Sequence, residues 1–166
     1  TDSLSVSSEV SYTNMKQYYL LTGSNIEWLE APHSLSNITS ARFKVGKTGI
    51  IKSMFQFSTS SSGMLYKNLD SYIHDSLRLR NGNMYLNNSY KSIIGNKITF
   101  SIHSGIMYDN DRLSFSIADT VLHTSIASGT IGFSLKRRFS KTMVKYGVDV
   151  VEKLYHQNFN DFEDSL

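Results

Sequence analysis

Apolar and polar residues alternate with a period of two along much of the chain between residues 38 and 151. Residues 97–102 (Lys-Ile-Thr-Phe-Ser-Ile) and 112–117 (Arg-Leu-Ser-Phe-Ser-Ile) show the alternation most clearly. Successive side chains of an extended chain point to opposite sides, so each segment has one apolar face and one hydroxyl-rich face. The pattern therefore predicts β-strands that are buried on one side and hydrated on the other.

Turn-forming residues interrupt the alternation about every ten residues, which predicts ten or more short strands. Asn81-Gly82 suits a type I′ hairpin turn, and residues 46–49 (Gly-Lys-Thr-Gly) suit another turn. Residues 58–63 and 104–111 are expected to be loops. A helical period with caps is not evident. The strands therefore predict an all-β fold, a two-sheet antiparallel sandwich in which the apolar faces cover each other.

Composition favours one folded domain. The chain has 166 residues, 40% of them hydrophobic and 12% aromatic, and it has no cysteine, which excludes disulfides and thiolate metal sites. Residues 1–14 are expected to be a flexible lead-in and residues 15–156 the β-sandwich domain. Residues 157–166 are expected to be a linker or the start of a following module, so neighbouring domains of the same polypeptide are expected partners.

The charge distribution does not favour a nucleic-acid partner. The net charge is +3, and the basic residues between 136 and 145 are interpreted as a solvated loop. No apolar run approaches the ~18 residues that a membrane-spanning helix needs, so membrane insertion is not expected.

The order of the later segments resembles the concanavalin A-like, laminin-G-type jelly roll of many carbohydrate-binding modules and lectin-like domains. The resemblance rests on the strand-like segments 98–102, 112–117 and 121–126, on Gly129-Thr130-Ile131-Gly132-Phe133, and on residues 147–151 (Gly-Val-Asp-Val-Val). Gly95-Asn96 stands where that group usually has a tryptophan. The resemblance covers about residues 38–152 and implies a jelly-roll sandwich and glycan binding.

A sugar-binding surface needs aromatic rings for the C–H faces of the sugar and polar groups for its hydroxyls. The chain is rich in both between residues 66 and 90. Tyrosine also favours strands, the single tryptophan also suits a core, and two arginines on one strand face also protect that face from unwanted pairing. The candidate ligand-binding residues are Trp28, Tyr72, Arg78, Arg80, Tyr85, Tyr108 and Asp109.

Catalysis is not expected. Enzymes that cleave glycans position paired carboxylates, whereas Glu27, Glu30, Asp109 and Asp111 do not form such an arrangement in the sequence. Asp109 and Asp111 are candidate ligands for calcium, although calcium takes six to eight oxygens and a solvated turn explains the same residues. The histidines lack the spacing of a zinc site, and no other cofactor is expected.

Two functions follow from these observations. The first is a non-catalytic, lectin-like carbohydrate-binding domain of an extracellular multidomain protein, with a glycan or polysaccharide as partner. The alternative is a structural or receptor-binding β-sandwich of an adhesin, phage tail or viral surface protein. Both place the chain outside the cell or on a cell or virion surface.

Overall fold

The computed structural model of the chain is a seven-stranded antiparallel sheet with one short helix, and it describes residues 3–22, 27–67, 74–95, 98–116, 120–139 and 141–161. Every strand pairs with the next one along the chain, from β1 to β7. The elements are β1 (Leu4–Asn14), α1 (Lys16–Thr22), β2 (Glu27–Val45), β3 (Gly49–Lys67), β4 (His74–Ile94), β5 (Ile98–Phe115), β6 (Thr120–Phe139) and β7 (Thr142–Asp161).

The all-β prediction is confirmed, but the two-sheet jelly roll is not, because the described residues form one sheet. The predicted hairpin turn at Asn81-Gly82 is wrong. Gly82 lies inside β4, opposite Thr59 of β3 and Asn110 of β5. Residues 58–63 and 104–111 likewise continue β3 and β5 instead of forming loops. A strand that is paired on both sides satisfies its backbone groups through its neighbours, so polar residues and glycine do not end it there.

The predicted chain reversal at residues 46–49 does occur, and a second reversal follows β4. Gly46 begins the β2–β3 turn and Gly95 follows β4, and both have φ near 61°, a left-handed conformation that glycine adopts without a Cβ clash. Residues 4–14, expected to be flexible, form β1, which pairs with β2 from Leu4 opposite Phe43 to Asn14 opposite His33. Residues 157–161 continue β7.

The register sorts the side chains into two faces, because residues opposite each other on paired strands point to the same side. One row crosses all seven strands on what we call the outer face and is apolar throughout. It consists of Leu4, Phe43, Ile51, Tyr90, Ile102, Phe133 and Val148. The neighbouring row on the opposite face, the groove face, is mostly polar. It consists of Ser5, Arg42, Lys52, Ser89, His103, Gly132 and Asp149.

The two faces exchange character toward the other end of the strands. There the outer face carries Arg80, Arg112 and His123 in one row. The adjacent row of the groove face is apolar, with Leu79, Leu113, Leu122 and Phe159. The alternation in the sequence therefore changes phase within β4, β5, β6 and β7, which is why each of these strands resembles two short ones.

Little of the apolar surface is buried. Among the described residues Val121, 9% exposed, is the one hydrophobic residue that counts as buried. The chain exposes 12498 Å², whereas a compact monomer of 18.8 kDa exposes about 8300 Å². The second layer that a sandwich requires is therefore not supplied by the described part of the chain.

Candidate functional site

The groove face contains a groove of about 740 Å³ that residues of six strands, β2 to β7, line together. Its lining residues extend across the sheet from Arg42 on β2 to Asp149 on β7. The groove lies toward the end of the sheet that carries the β2–β3, β4–β5 and β6–β7 connections.

Positive charge dominates this groove. Five cationic side chains line it and Asp149 is the one carboxylate among its lining residues. All five are exposed, and each precedes or follows an outer-face residue in the sequence, as Lys52 follows Ile51 and Lys91 follows Tyr90. The five are Arg42, Lys52, Lys91, Lys136 and Lys145. Like charges gathered in one concavity raise the local concentration of anions.

Asp149 is held beside a histidine. The His103 Nε2 atom lies 3.2 Å from Asp149 Oδ1, and the contact is ionic when His103 is protonated. The two residues are on β5 and β7, and Gly132 of β6 lies between them in the register. A Cβ at Gly132 would collide with Asp149 Oδ1 and lie 2.6 Å from His103 Cε1. The absence of a side chain at Gly132 therefore allows the two neighbours to meet across β6.

Hydroxyl and amide groups complete the groove. Ser89, Ser101 and Ser134 line it, and an adjoining cleft of about 580 Å³ shares Arg42, Lys52 and Ser89 with it and is also lined by Asn87. The Asn87 amide donates to the hydroxyl of Tyr85 at 2.8 Å. Tyr85 therefore adds one aromatic ring beside the polar clefts.

The structure does not bring all the predicted ligand-binding residues together. Tyr85 and Asp109 lie on the groove face, in adjacent rows of β4 and β5. Arg78, Arg80 and Tyr108 lie on the outer face. Tyr72 lies outside the described residues. The predicted set is thus divided between the two sides of the sheet, and no single ligand on one face contacts all of it.

Trp28 packs against the helix instead of facing the groove. Its ring lies 4.8 Å from the ring of Tyr19, centroid to centroid. Next to it β2 is irregular, with register shifts between Trp28 and Glu30 and between Glu30 and His33. This arrangement is the core-packing alternative that the sequence left open for Trp28.

The candidate calcium ligands share a hydrogen-bond donor. The Asn81 amide nitrogen donates to Asp111 Oδ1 at 2.5 Å and lies 3.4 Å from Asp109 Oδ1. Within the described ranges, no group of three or more His, Asp or Glu side chains is arranged to hold a metal ion. Asp109 and Asp111 supply two of the six to eight oxygens that calcium takes, so calcium binding stays a prediction.

The sequence analysis did not identify the groove cations as a binding site. It noted only the basic cluster near residue 140, which it interpreted as a solvated loop. In the structure Lys136 and Lys145 are opposite each other on β6 and β7, within strands. Arg137 points to the outer side, with its guanidinium 4.8 Å from the Phe139 ring centroid. One feature of the sequence could have identified these lysines: each stands one residue before or after an apolar residue of the outer face, which places it on the groove face.

Comparison with known proteins gives no family for this chain: no family model matches it, and no curated protein matches its sequence. The resemblance to concanavalin A-like domains thus stays a prediction. In the described part of the chain no helix has the length and apolarity to cross a membrane.

Proposed function

We propose that the groove binds an acidic carbohydrate chain and does not cleave it. The observation that carries this proposal is the meeting of five cations and one carboxylate in one groove. Carboxylate or sulfate groups on the sugar complement the lysines and Arg42, while Ser89, Ser101 and Ser134 offer partners for its hydroxyls. Tyr85 adds a ring for a C–H face.

The expected affinity comes from several modest contacts. An exposed ion pair contributes about 0–1 kcal/mol, so no single lysine fixes the ligand. Six strands at about 4.8 Å spacing give a path about 24 Å long between β2 and β7. A chain with repeated negative groups contacts several cations along that path, whereas a single acidic sugar contacts few. We propose accordingly a polymeric ligand and a location outside the cell or on a cell or virion surface.

Removing two facing groove lysines tests the proposal. In the double variant Lys136→Gln/Lys145→Gln, the affinity for a fluorescent oligogalacturonate is expected to fall about tenfold, as two contacts of about 0.7 kcal/mol imply. Fluorescence anisotropy at low salt measures the dissociation constant. The affinity is also expected to weaken as salt is added, because the charges are exposed.

The matched control is Lys153→Gln, which removes a lysine from the same face of β7 outside the groove and is expected to leave the affinity unchanged. A neutral gluco-oligosaccharide of equal length is expected not to bind. Equal binding of the neutral and acidic sugars, or equal losses in the double and control variants, would contradict the proposal. Repeating the titration with calcium tests Asp109 and Asp111 as ligands.

The alternative is a structural role in a larger protein assembly, and the two edges of the sheet favour it. Strands β1 and β7 each have one neighbour in the sheet. An edge strand presents unpaired N–H and C=O groups that accept a further strand. Association of the chain through these edges, with no affinity for the acidic sugar, would support this alternative over carbohydrate binding.

A further inference from the structure

The outer face carries an apolar band next to the connections at Gly46 and Gly95. We define the outer band as the outer-face side chains of residues 84–94 on β4, 98–108 on β5, 127–135 on β6 and 144–154 on β7, with their register partners on β1 to β3. Ile106 is 61% exposed and Ile131 is 56% exposed. The band is therefore an apolar surface that the described chain does not cover.

The height of the outer band matches the hydrocarbon layer of a lipid bilayer. Eleven residues at about 3.3 Å each extend about 36 Å along a strand, or about 26 Å at a tilt of about 45°. A strand crosses the hydrocarbon layer with about 9–11 residues, of which every second one faces lipid, so the ~18-residue requirement applies to helices alone.

Charges lie on both borders of the band and complement lipid phosphates. Lys47, Arg137 and Lys141 are exposed near the connections, and Arg80 and Arg112 are exposed beyond the other border. Long basic side chains reach from an apolar surface to the headgroups of a bilayer. Aromatic rings also lie at both borders, Tyr108 at the far one and Phe139 near the connections. Aromatic residues concentrate at these positions in protein surfaces that contact a bilayer.

Several polar side chains inside the band have partners within the sheet. The Ser53 hydroxyl donates to Asn88 Oδ1 at 2.7 Å, and the Thr39 hydroxyl donates to Asn37 Oδ1 at 3.0 Å. Among the described residues of the band, Glu152 is the charged exception, and it lies on the edge strand β7. Pairing of this kind lowers the cost of removing polar groups from water.

We propose that the outer band packs against the hydrocarbon layer of a lipid bilayer, with the basic borders at the headgroups and the groove face on the aqueous side. The proposal rests on the outer face and is independent of what the groove binds. Hydrocarbon does not tolerate unpaired peptide groups, so the free edges of β1 and β7 are expected to be paired with further strands in the bilayer.

Site-specific labels on the full chain test this directly, because the protein has no cysteine of its own. Phe133→Cys and Ser134→Cys place a polarity-sensitive fluorophore on neighbouring residues of opposite faces. In vesicles of phosphatidylcholine and phosphatidylglycerol, quenchers on the lipid acyl chains are expected to quench the label at 133 at least threefold more than the label at 134. Arg112→Cys, on the outer face beyond the band, is the matched control and is expected to resist quenching.

Two outcomes would overturn the proposal: equal quenching at 133 and 134, or quenching at 112 equal to that at 133. A flotation assay adds an independent measure. Ile131→Arg is expected to lower partitioning into the vesicles about thirtyfold, and Thr130→Arg, on the groove face, to lower it less than threefold.

Circular dichroism checks that each arginine variant keeps its strands. If Ile131→Arg or Thr130→Arg loses the strand signal, the proposal is decided by the quenching of the labels at 133 and 134. If Phe133→Cys and Ser134→Cys keep the strand signal and neither label is quenched by lipid, the proposal is wrong.

Discussion

At the residue scale, the environment of each side chain follows from its face and from the side chain directly across the strand pair. Gly147 and Gly129 illustrate the difference. A Cβ at Gly147 would lie 2.8 Å from the backbone oxygen of Phe133 and 3.0 Å from Ser134 Cβ, whereas a Cβ at Gly129 meets nothing within 4 Å. Two glycines on adjacent strands thus tolerate a side chain very differently.

The variant Gly147→Ala is expected to lower the free energy of unfolding by about 1–3 kcal/mol, because the backbone oxygen it meets cannot rotate away. Gly129→Ala is expected to be neutral or to raise the free energy of unfolding by up to about 1 kcal/mol, since alanine restricts the unfolded chain. Denaturant unfolding followed by circular dichroism measures both. Equal destabilisation by the two variants would contradict the register of β6 and β7.

At the element scale, the long strands depend on where the chain reverses. Asn81-Gly82 has the composition of a hairpin turn but lies mid-strand, whereas Gly46 and Gly95 occupy the actual reversals with positive φ. The local sequence alone does not separate these cases. The Asn81 amide donates a hydrogen bond to Asp111 of the next strand, a partner thirty positions away in the sequence.

Valine at the two kinds of glycine distinguishes a turn from a strand interior. Gly46→Val is expected to lower the free energy of unfolding by about 1–2 kcal/mol or more, because a β-branched residue resists the left-handed conformation. Gly82→Val is expected to change it by less than about 0.5 kcal/mol, since a Cβ there meets nothing within 4 Å. Thermal unfolding followed by circular dichroism compares the two variants. A larger loss of stability in Gly82→Val than in Gly46→Val would support a hairpin turn at residues 81–82.

At the scale of the whole molecule, the sheet exposes far more total surface than a compact domain of its mass, and many of its large apolar side chains are exposed. The excess over a typical monomer is about 4200 Å², the difference between 12498 Å² and about 8300 Å². The apolar part of this excess drives association in water at about 25 cal/mol per Å² buried. The chain is therefore expected to need a second layer, a lipid phase or a detergent to stay dispersed.

Light scattering after size-exclusion chromatography tests this expectation in two solvents. In plain buffer the chain is expected to form assemblies larger than one copy, because the outer band has no cover. A non-ionic detergent is expected to disperse assemblies held by the outer band, whereas assemblies held by strand pairing at β1 or β7 are expected to persist. A stable monomer in plain buffer would show that the outer band is covered from within the chain.

The sequence by itself determined that the chain is all-β, that its strands have two unlike faces, and that it reverses near Gly46. Those properties are local, since alternation and left-handed glycine act within a few residues. Tertiary structure decided that strand pairs continue through Asn81-Gly82 and residues 104–111, and that lysines of β3, β4, β6 and β7 meet Arg42 in one groove. The meeting of these side chains depends on the register between strands whose residues are far apart in the sequence. Backbone pairing between the strands fixes that register, whereas local composition does not.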